Sequence, residues 1–218
     1  MTKIKAQLLR LVAVVAASVC FSTTGFASIV FDNSVNLLSP PRFYSPGNNI
    51  EFGDQIFLAG SDRRVSDFQF DYFVSTNASG NELAEIFFYD NNGANGMPSS
   101  LLYRSGEFSL GAGFQTVVAQ QLSVTVPSTF TWAVVFKGID VGESAGLLLA
   151  DPPTVGTSLS DFWVKNTDGT WATFLIDNGS TPANFVARIT AVPEPGTYAL
   201  AALGAVILTY ASRRRRAR

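Results

Sequence analysis

The feature that most limits the fold of this chain is the period-two alternation in its middle part. Between Phe68 and Val74, large apolar residues occupy every second position and Gln69 and Asp71 stand between them. This pattern is typical of a β-strand that buries one face. Helical periodicity is absent between residues 28 and 191. The region is therefore predicted to form strands, each of which must cover its apolar face with another sheet.

Short apolar runs elsewhere in this region are separated by clusters of Gly, Pro, Asn, Asp and Ser, which favour turns. Asp168-Gly169 is predicted to form a type I′ hairpin turn. Antiparallel strands without helices predict an all-β fold, a jelly-roll-like antiparallel β-sandwich. The other predicted strands are Ile29–Phe31, Ile50–Leu58, Ala84–Tyr89, Thr116–Val126, Phe130–Phe136, Leu147–Ala150, Phe162–Lys165, Thr170–Ile176 and Phe185–Thr190.

The first residues carry the features of a secretory signal peptide. An apolar run, Leu11–Phe21, follows three basic residues, and Gly25 and Ala27 supply the small side chains that a signal peptidase requires. We expect an N-terminal signal helix within residues 1–27 and cleavage between Ala27 and Ser28. A lipoprotein signal ending at Cys20 is the alternative, but the residue before Cys20 is not small. The basic residues are Lys3, Lys5 and Arg10.

The C-terminus combines three elements in a fixed order: Pro193-Glu194-Pro195, an apolar helix predicted over 197–212, and a basic tail. Proline fixes φ and removes an amide donor, so the tripeptide stays out of helices and sheet ladders. The apolar run from Tyr198 to Ser212 spans about 22 Å, which is short of a hydrocarbon core of about 30 Å. Such a transmembrane helix suits a temporary anchor, with an uncut tail anchor as the alternative. The arginines that would stay in the cytoplasm are Arg213, Arg214, Arg215 and Arg216.

Together with that apolar run and the arginines, the residues Val192, Pro193, Glu194 and Pro195 resemble the PEP-CTERM protein-sorting signal of Gram-negative bacteria. The same segment is also called the ice-binding protein C-terminal domain. The resemblance implies recognition by an exosortase, a membrane-embedded transpeptidase that would cut near the motif and release or re-attach the protein at the surface. The predicted organisation is a signal peptide 1–27, a passenger domain 28–191 and a sorting signal 192–218, with the motif at 192–196 and the basic tail at 213–218.

The amino-acid composition of the chain excludes most classes of enzyme. The chain has no histidine, and its single cysteine, Cys20, is expected to leave with the signal peptide. The mature protein therefore cannot form a Ser-His-Asp triad, a thiol nucleophile or a metal site built from His or Cys. Paired carboxylates could still hydrolyse glycosides. Candidates for such a pair are Glu82, Glu85, Glu107 and Asp161.

Charge limits the partners of the passenger domain. Residues 28–192 contain seven basic and sixteen acidic side chains, a net charge of −9. A domain this acidic repels nucleic acid and anionic lipid surfaces. We therefore expect no nucleic acid, and favour neutral glycans, cations or other proteins as partners.

Two local features suggest binding sites. The loop Asp90–Gly96 offers oxygen ligands, with Asp90 and Asn92 as weak calcium candidates, although a bare hairpin loop is the favoured interpretation. Trp163 and Trp171 flank the predicted 168–169 turn and could be exposed together as a sugar-stacking platform. Core packing is the alternative for both indoles, and burial is expected for Trp132.

These inferences predict a non-enzymatic protein of the cell surface or exopolysaccharide matrix, with a structural or interaction role and no cofactor. Its processing partners would be signal peptidase and an exosortase. The chain would be held transiently in the inner membrane of a Gram-negative bacterium and then moved to the envelope or the extracellular matrix. The alternatives are a glycan-binding module and a glycoside-cleaving enzyme.

Overall fold

The computed structural model describes residues 26–194. The predicted signal helix, the transmembrane helix 197–212, Pro195 and the basic tail 213–218 lie outside the described residues. Within residues 26–194, no helix has the length and apolar character needed to cross a membrane.

Residues 27–192 form one compact unit made of strands. The only helical elements among the described residues are two short 3₁₀ turns, Ala94–Gly96 and Asp177–Gly179. The fifteen strands of the described part are β1 Ser28–Asp32, β2 Phe43–Tyr44, β3 Glu51–Phe57, β4 Arg64–Val74, β5 Leu83–Asp90, β6 Leu101–Arg104, β7 Phe108–Ser109, β8 Gly113–Ala119, β9 Val124–Thr125, β10 Thr129–Lys137, β11 Ala145–Leu148, β12 Thr157–Ser158, β13 Phe162–Lys165, β14 Trp171–Phe174 and β15 Ala187–Val192.

The strands form two sheets whose ladders are antiparallel. The first sheet has the order β1-β15-β4-β11-β2, with β8 and β9 also paired to β4. The second sheet has the order β14-β13-β3-β10-β5-β6, with β12 paired to β3 and β7 to β5. The prediction of an all-β, antiparallel fold is confirmed.

The two sheets share one aromatic core. Trp132 of the second sheet is fully buried, as predicted, and its ring centroid lies 5.2 Å from Phe68 and 6.0 Å from Phe70 of the first sheet. The contact with Phe68 is edge-to-face, a geometry that stabilises the core beyond the burial of apolar area alone. Two sheets packed through their apolar faces are consistent with a β-sandwich.

Some predicted strand boundaries are wrong. The predicted strand Thr116–Val126 is interrupted between β8 and β9, where Gln121 adopts a φ of 59° that a strand cannot contain. The sequence also gave no signal for β2, β6, β7 and β12, which are two to four residues long. Strands this short contain too few residues for alternation to be visible.

The hairpin at Asp168-Gly169 exists, but the predicted type I′ turn is wrong. Of these two residues only Gly169 has a positive φ, 84°, whereas a type I′ turn needs two. The amide of Gly169 donates to the carbonyl of Asn166 at 2.9 Å, and the amide of Asn166 donates to Thr170 at 2.8 Å. The connection is therefore a longer turn that closes with glycine in the left-handed region, a common hairpin form.

An acidic side chain lies inside this apolar core. Asp54 of β3 is fully buried and is the direct cross-strand neighbour of Trp132. Among the described residues, neither carboxyl oxygen of Asp54 nor the indole nitrogen of Trp132 has a hydrogen-bond partner. Desolvation raises the pKa of Asp54 well above its ordinary value, and the nearby carboxylate of Asp161 adds to the rise. The backbone amides of Phe185 and Gln55 partly oppose it, although neither reaches full hydrogen-bond geometry.

We expect Asp54→Asn to become more stabilising relative to the native chain as the pH rises. An acid whose pKa is higher in the folded state favours folding only while it is protonated, so its ionisation weakens the fold above about pH 4. The stability gap between variant and native chain should widen by up to about 1.4 kcal/mol per pH unit. Urea unfolding across the neutral and mildly acidic range measures it. Asp71→Asn, at a surface carboxylate that accepts a hydrogen bond from Thr116, is the matched control. A gap independent of pH would contradict the prediction.

Candidate functional site

The sorting motif begins where the last strand of the domain ends. β15 lies inside the first sheet between β1 and β4, and its final residue, Val192, pairs with Arg64. Ala191 is fully buried, whereas Glu194 is exposed. Pro193 follows Val192 directly, so no linker separates the motif from the sheet.

The predicted start of the mature chain lies beside this strand. Ser28 of β1 is the register partner of Ala191 of β15, and Ala27 is exposed. Ser28 and Val192 are therefore at the same end of two paired strands. The first strand begins at one predicted processing point, and the last strand leads directly into the sorting motif.

The second sheet carries a groove on the face that points away from the core. The groove has a volume of about 580 Å³. We call it the charged groove, because five charged residues line it together with Tyr89: Glu51, Glu85, Arg104, Lys137 and Lys165.

The strand register places the carboxylates of Glu51 and Glu85 on the same face of the second sheet. Glu51 of β3 pairs with Val135 of β10, which pairs with Glu85 of β5. Directly opposed residues point to the same side of a sheet. With one strand between them, the backbones that carry the two carboxylates are about 10 Å apart.

One half of the charged groove is an ion pair between Lys165 and Glu51. The ammonium of Lys165 lies 3.0 Å from a Glu51 carboxylate oxygen and donates to the Tyr89 hydroxyl at 3.1 Å. It also lies over two aromatic rings, 5.1 Å from the centroid of Tyr89 and 5.3 Å from that of Trp171. Desolvation, with a further contribution from Glu51, raises the pKa of Tyr89, so its phenol stays neutral.

The other half is built around Glu85, which is only 1% exposed. Arg104 donates from Nε and Nη2 to the two carboxylate oxygens, a bidentate arrangement. Lys137 lies 3.5 Å from Glu85 and 2.5 Å from Glu107. The hydrogen bond that Glu85 accepts from Arg104 holds the pKa of Glu85 below its ordinary range. Glu85 is therefore a hydrogen-bond acceptor and not a proton donor at neutral pH.

The two tryptophans singled out in the sequence have different environments. Trp163 is 9% exposed, and its indole nitrogen donates to Gln55 at 3.3 Å. Trp171 is half-buried, packs against Tyr89 with ring centroids 5.3 Å apart, and lies beside the charged groove. Because Trp163 is buried, the two indoles are not exposed together, and of the two only Trp171 can offer its surface to a ligand.

The loop at Asp90 is held by its own hydrogen bonds. Asn91 donates to the carbonyl of Gly96 at 2.8 Å and to Thr131 at 3.0 Å, and Asn92 donates to the hydroxyl of Ser100 at 3.1 Å. Within residues 26–194 there is no group of three or more acidic, His or Cys side chains placed to hold a metal ion. The amides of this loop thus fix its shape, and the weak calcium assignment to Asp90 and Asn92 stays a prediction.

Of the carboxylates considered as a hydrolytic pair, the structure brings together only Glu85 and Glu107, which share Lys137. Glu82 instead accepts the backbone amides of Ser79 and Gly80 at 2.8 and 3.0 Å, which stabilises a turn. Asp161 lies close enough to Asp54 to affect its pKa. Sequence reasoning missed Glu51, Tyr89, Arg104, Lys137 and Lys165 as a group, because no local pattern connects residues on five different strands.

Comparison with known proteins identifies only the C-terminal segment. Residues 191–216 match the family model of the PEP-CTERM protein-sorting motif, which confirms the resemblance found in the sequence. No curated protein and no solved structure matches the chain. The motif indicates export, processing by an exosortase and sorting to the cell envelope.

Proposed function

We propose that this chain is a non-enzymatic protein of the cell surface or exopolysaccharide matrix, where its β-domain has a structural or interaction role. The observation that carries the proposal is the direct continuation of β15 into the PEP-CTERM motif. A sorting signal without a linker delivers the folded domain itself to the surface. Partners at the surface then meet the two outer sheet faces of that domain.

The carboxylates of the charged groove support a role other than hydrolysis. Glycoside hydrolysis needs one carboxyl with a raised pKa as the proton donor. Glu85 has the opposite shift, because Arg104 stabilises its ionised form. Glu51 and Glu107 are each paired with a lysine. Each of the three carboxylates thus accepts a hydrogen bond from a basic side chain.

Cell fractionation combined with an activity assay tests this function. We expect the protein in the surface or matrix fraction of its host, and weaker matrix cohesion when the gene is deleted. The purified full-length chain should release no new reducing ends from the matrix polysaccharide. Release that disappears in Glu85→Gln or Glu107→Gln would instead establish a glycosidase. Recovery of the protein only from the cytoplasm would refute the surface role.

Glycan binding is the second candidate function. The charged groove favours it, since polar pairs next to the half-buried ring of Trp171 provide both hydrogen bonds and an apolar contact. In this case the domain would attach to the polysaccharide of the matrix instead of only to proteins.

A further inference from the structure

The charged groove gathers positive charge that is scarce elsewhere in the domain. Residues 28–192 contain only two lysines, Lys137 and Lys165, and both line the groove together with Arg104. Each of these cations contacts a carboxylate. The carboxylates are Glu51, Glu85 and Glu107, so the groove and its margin are electrically balanced within a domain of net charge −9.

This balance selects against charged ligands. An anion would have to approach a domain of net charge −9 and then compete with three carboxylates for their cations. A cation would meet three positive side chains. A neutral ligand faces neither repulsion, and the hydroxyls of a sugar both donate and accept hydrogen bonds.

The ion pairs leave groups that a hydroxyl ligand can use. Arg104 donates to Glu85 from Nε and Nη2, so Nη1 takes no part in that pair. The Oε1 atom of Glu51 is buried, so the accessible member of that pair is Lys165, which donates to Glu51 and Tyr89 and keeps one of its three N–H groups for a ligand. Hydrogen bonds to charged groups are roughly twice as strong as those between neutral groups. Each half of the groove thus has an accessible charged donor, Arg104 in one and Lys165 in the other.

Apolar surface lies between and beside these pairs. Phe87 and Val135 line the floor, and Arg104 lies 5.7 Å from the Phe87 ring centroid. Leu101 of β6 and Gly169 of the β13–β14 turn also line the groove. A binding site with an apolar floor and a few fixed polar groups is the usual architecture for a small organic ligand.

We propose that the charged groove binds a neutral polysaccharide, with Arg104 and Lys165 donating hydrogen bonds to sugar oxygens and the half-buried Trp171 packing against a sugar ring. This inference rests on the glycan-binding candidate above and gives it a site and a ligand class. The predicted platform of Trp163 and Trp171 is replaced by one tryptophan and two ion pairs.

Calorimetric titration of the full-length chain in mild detergent tests the proposal, using a neutral glucan, a neutral galactomannan, polygalacturonate and single-stranded DNA as probes. We expect binding of at least one neutral polysaccharide, with an affinity that changes less than about twofold between low and high salt, because no counterions are released. Arg104→Gln and Lys165→Gln should each weaken that binding about tenfold or more, as expected for hydrogen bonds to charged groups.

Matched variants separate a binding effect from a folding effect. Arg64→Gln, on the first sheet and bonded to Ser123, should leave binding unchanged. Tyr89→Phe keeps the ring but removes the hydroxyl that accepts from Lys165, so the Lys165 ammonium is held less firmly and binding should weaken while the melting temperature changes little. If Arg104→Gln or Lys165→Gln unfolds, the binding affinity of Tyr89→Phe decides whether the groove is the binding site.

The other outcomes overturn the inference in different ways. Binding of polygalacturonate or DNA alone, with a steep salt dependence, would show that the groove takes anions. Equal binding by native chain, Arg104→Gln, Lys165→Gln and Tyr89→Phe would place the ligand elsewhere. Binding of none of the probes would remove the groove as a polysaccharide site. These results come from purified protein, so they are independent of the fractionation test of the surface role.

Discussion

A variant with alanine at positions 193, 194 and 195 is expected to keep its C-terminal tail and remain in the membrane fraction. In the native chain, Pro193 follows the last residue of β15 and cannot donate to the sheet ladder. Alanine removes this barrier, so β15 can extend past Val192 and the segment is no longer held in the exposed form that a protease needs. Substitution of Glu194 also removes the charged residue of the motif. Mass spectrometry of C-terminal peptides measures the result.

We expect the native protein to have lost its C-terminal tail completely and the alanine variant to have kept it completely. Native protein from wild-type cells should contain no peptide beyond about residue 196, whereas the alanine variant should contain the intact tail through Arg218, inserted with Arg213–Arg218 on the cytoplasmic side. Native protein from cells that lack the exosortase should match the variant. An intact tail on native protein in wild-type cells would mean that the segment is an ordinary anchor.

Gly53→Ala is expected to be among the most damaging single substitutions in the domain. A Cβ atom at position 53 would lie 1.9 Å from the carbonyl oxygen of Trp132 and 2.5 Å from the Cα of Ala133. Both are backbone atoms of β10, the strand that pairs with β3, so relief requires the two central strands to separate. We expect a loss of about 4 kcal/mol or more in the free energy of unfolding, or no folded protein. Urea unfolding monitored by tryptophan fluorescence measures it.

Gly111→Ala is the matched control. The nearest atoms to a Cβ at this position are 3.8 Å away and belong to the side chains of Gln115 and Tyr72, which is ordinary contact distance. The change should stay within about 0.5 kcal/mol. A similar loss in both variants would show that the close approach of β3 and β10 is not what makes Gly53 necessary.

The sequence alone determined the features that depend on neighbouring residues. Alternation in the segment that became β4 predicted a half-buried strand, because side chains point to opposite faces at every step of an extended chain. The PEP-CTERM signal was likewise recognisable, since its tripeptide, apolar run and arginines are consecutive. Both features are contained in a short stretch of sequence, so they can be recognised without knowledge of the fold.

Tertiary structure decided the features that depend on strand order. Alternation places Trp163 on the outer face of β13, but β13 lies between β14 and β3 and the indole is buried beside Gly53. The charged groove joins Lys165 to Glu51 across 114 positions of the chain and Lys137 to Glu85 across 52. Which strands are neighbours is set by the packing of the whole apolar core, and no local pattern encodes it. The sequence therefore determined that the chain forms antiparallel sheets and carries a sorting signal, whereas the sheet register alone decided which charges meet on the outer face.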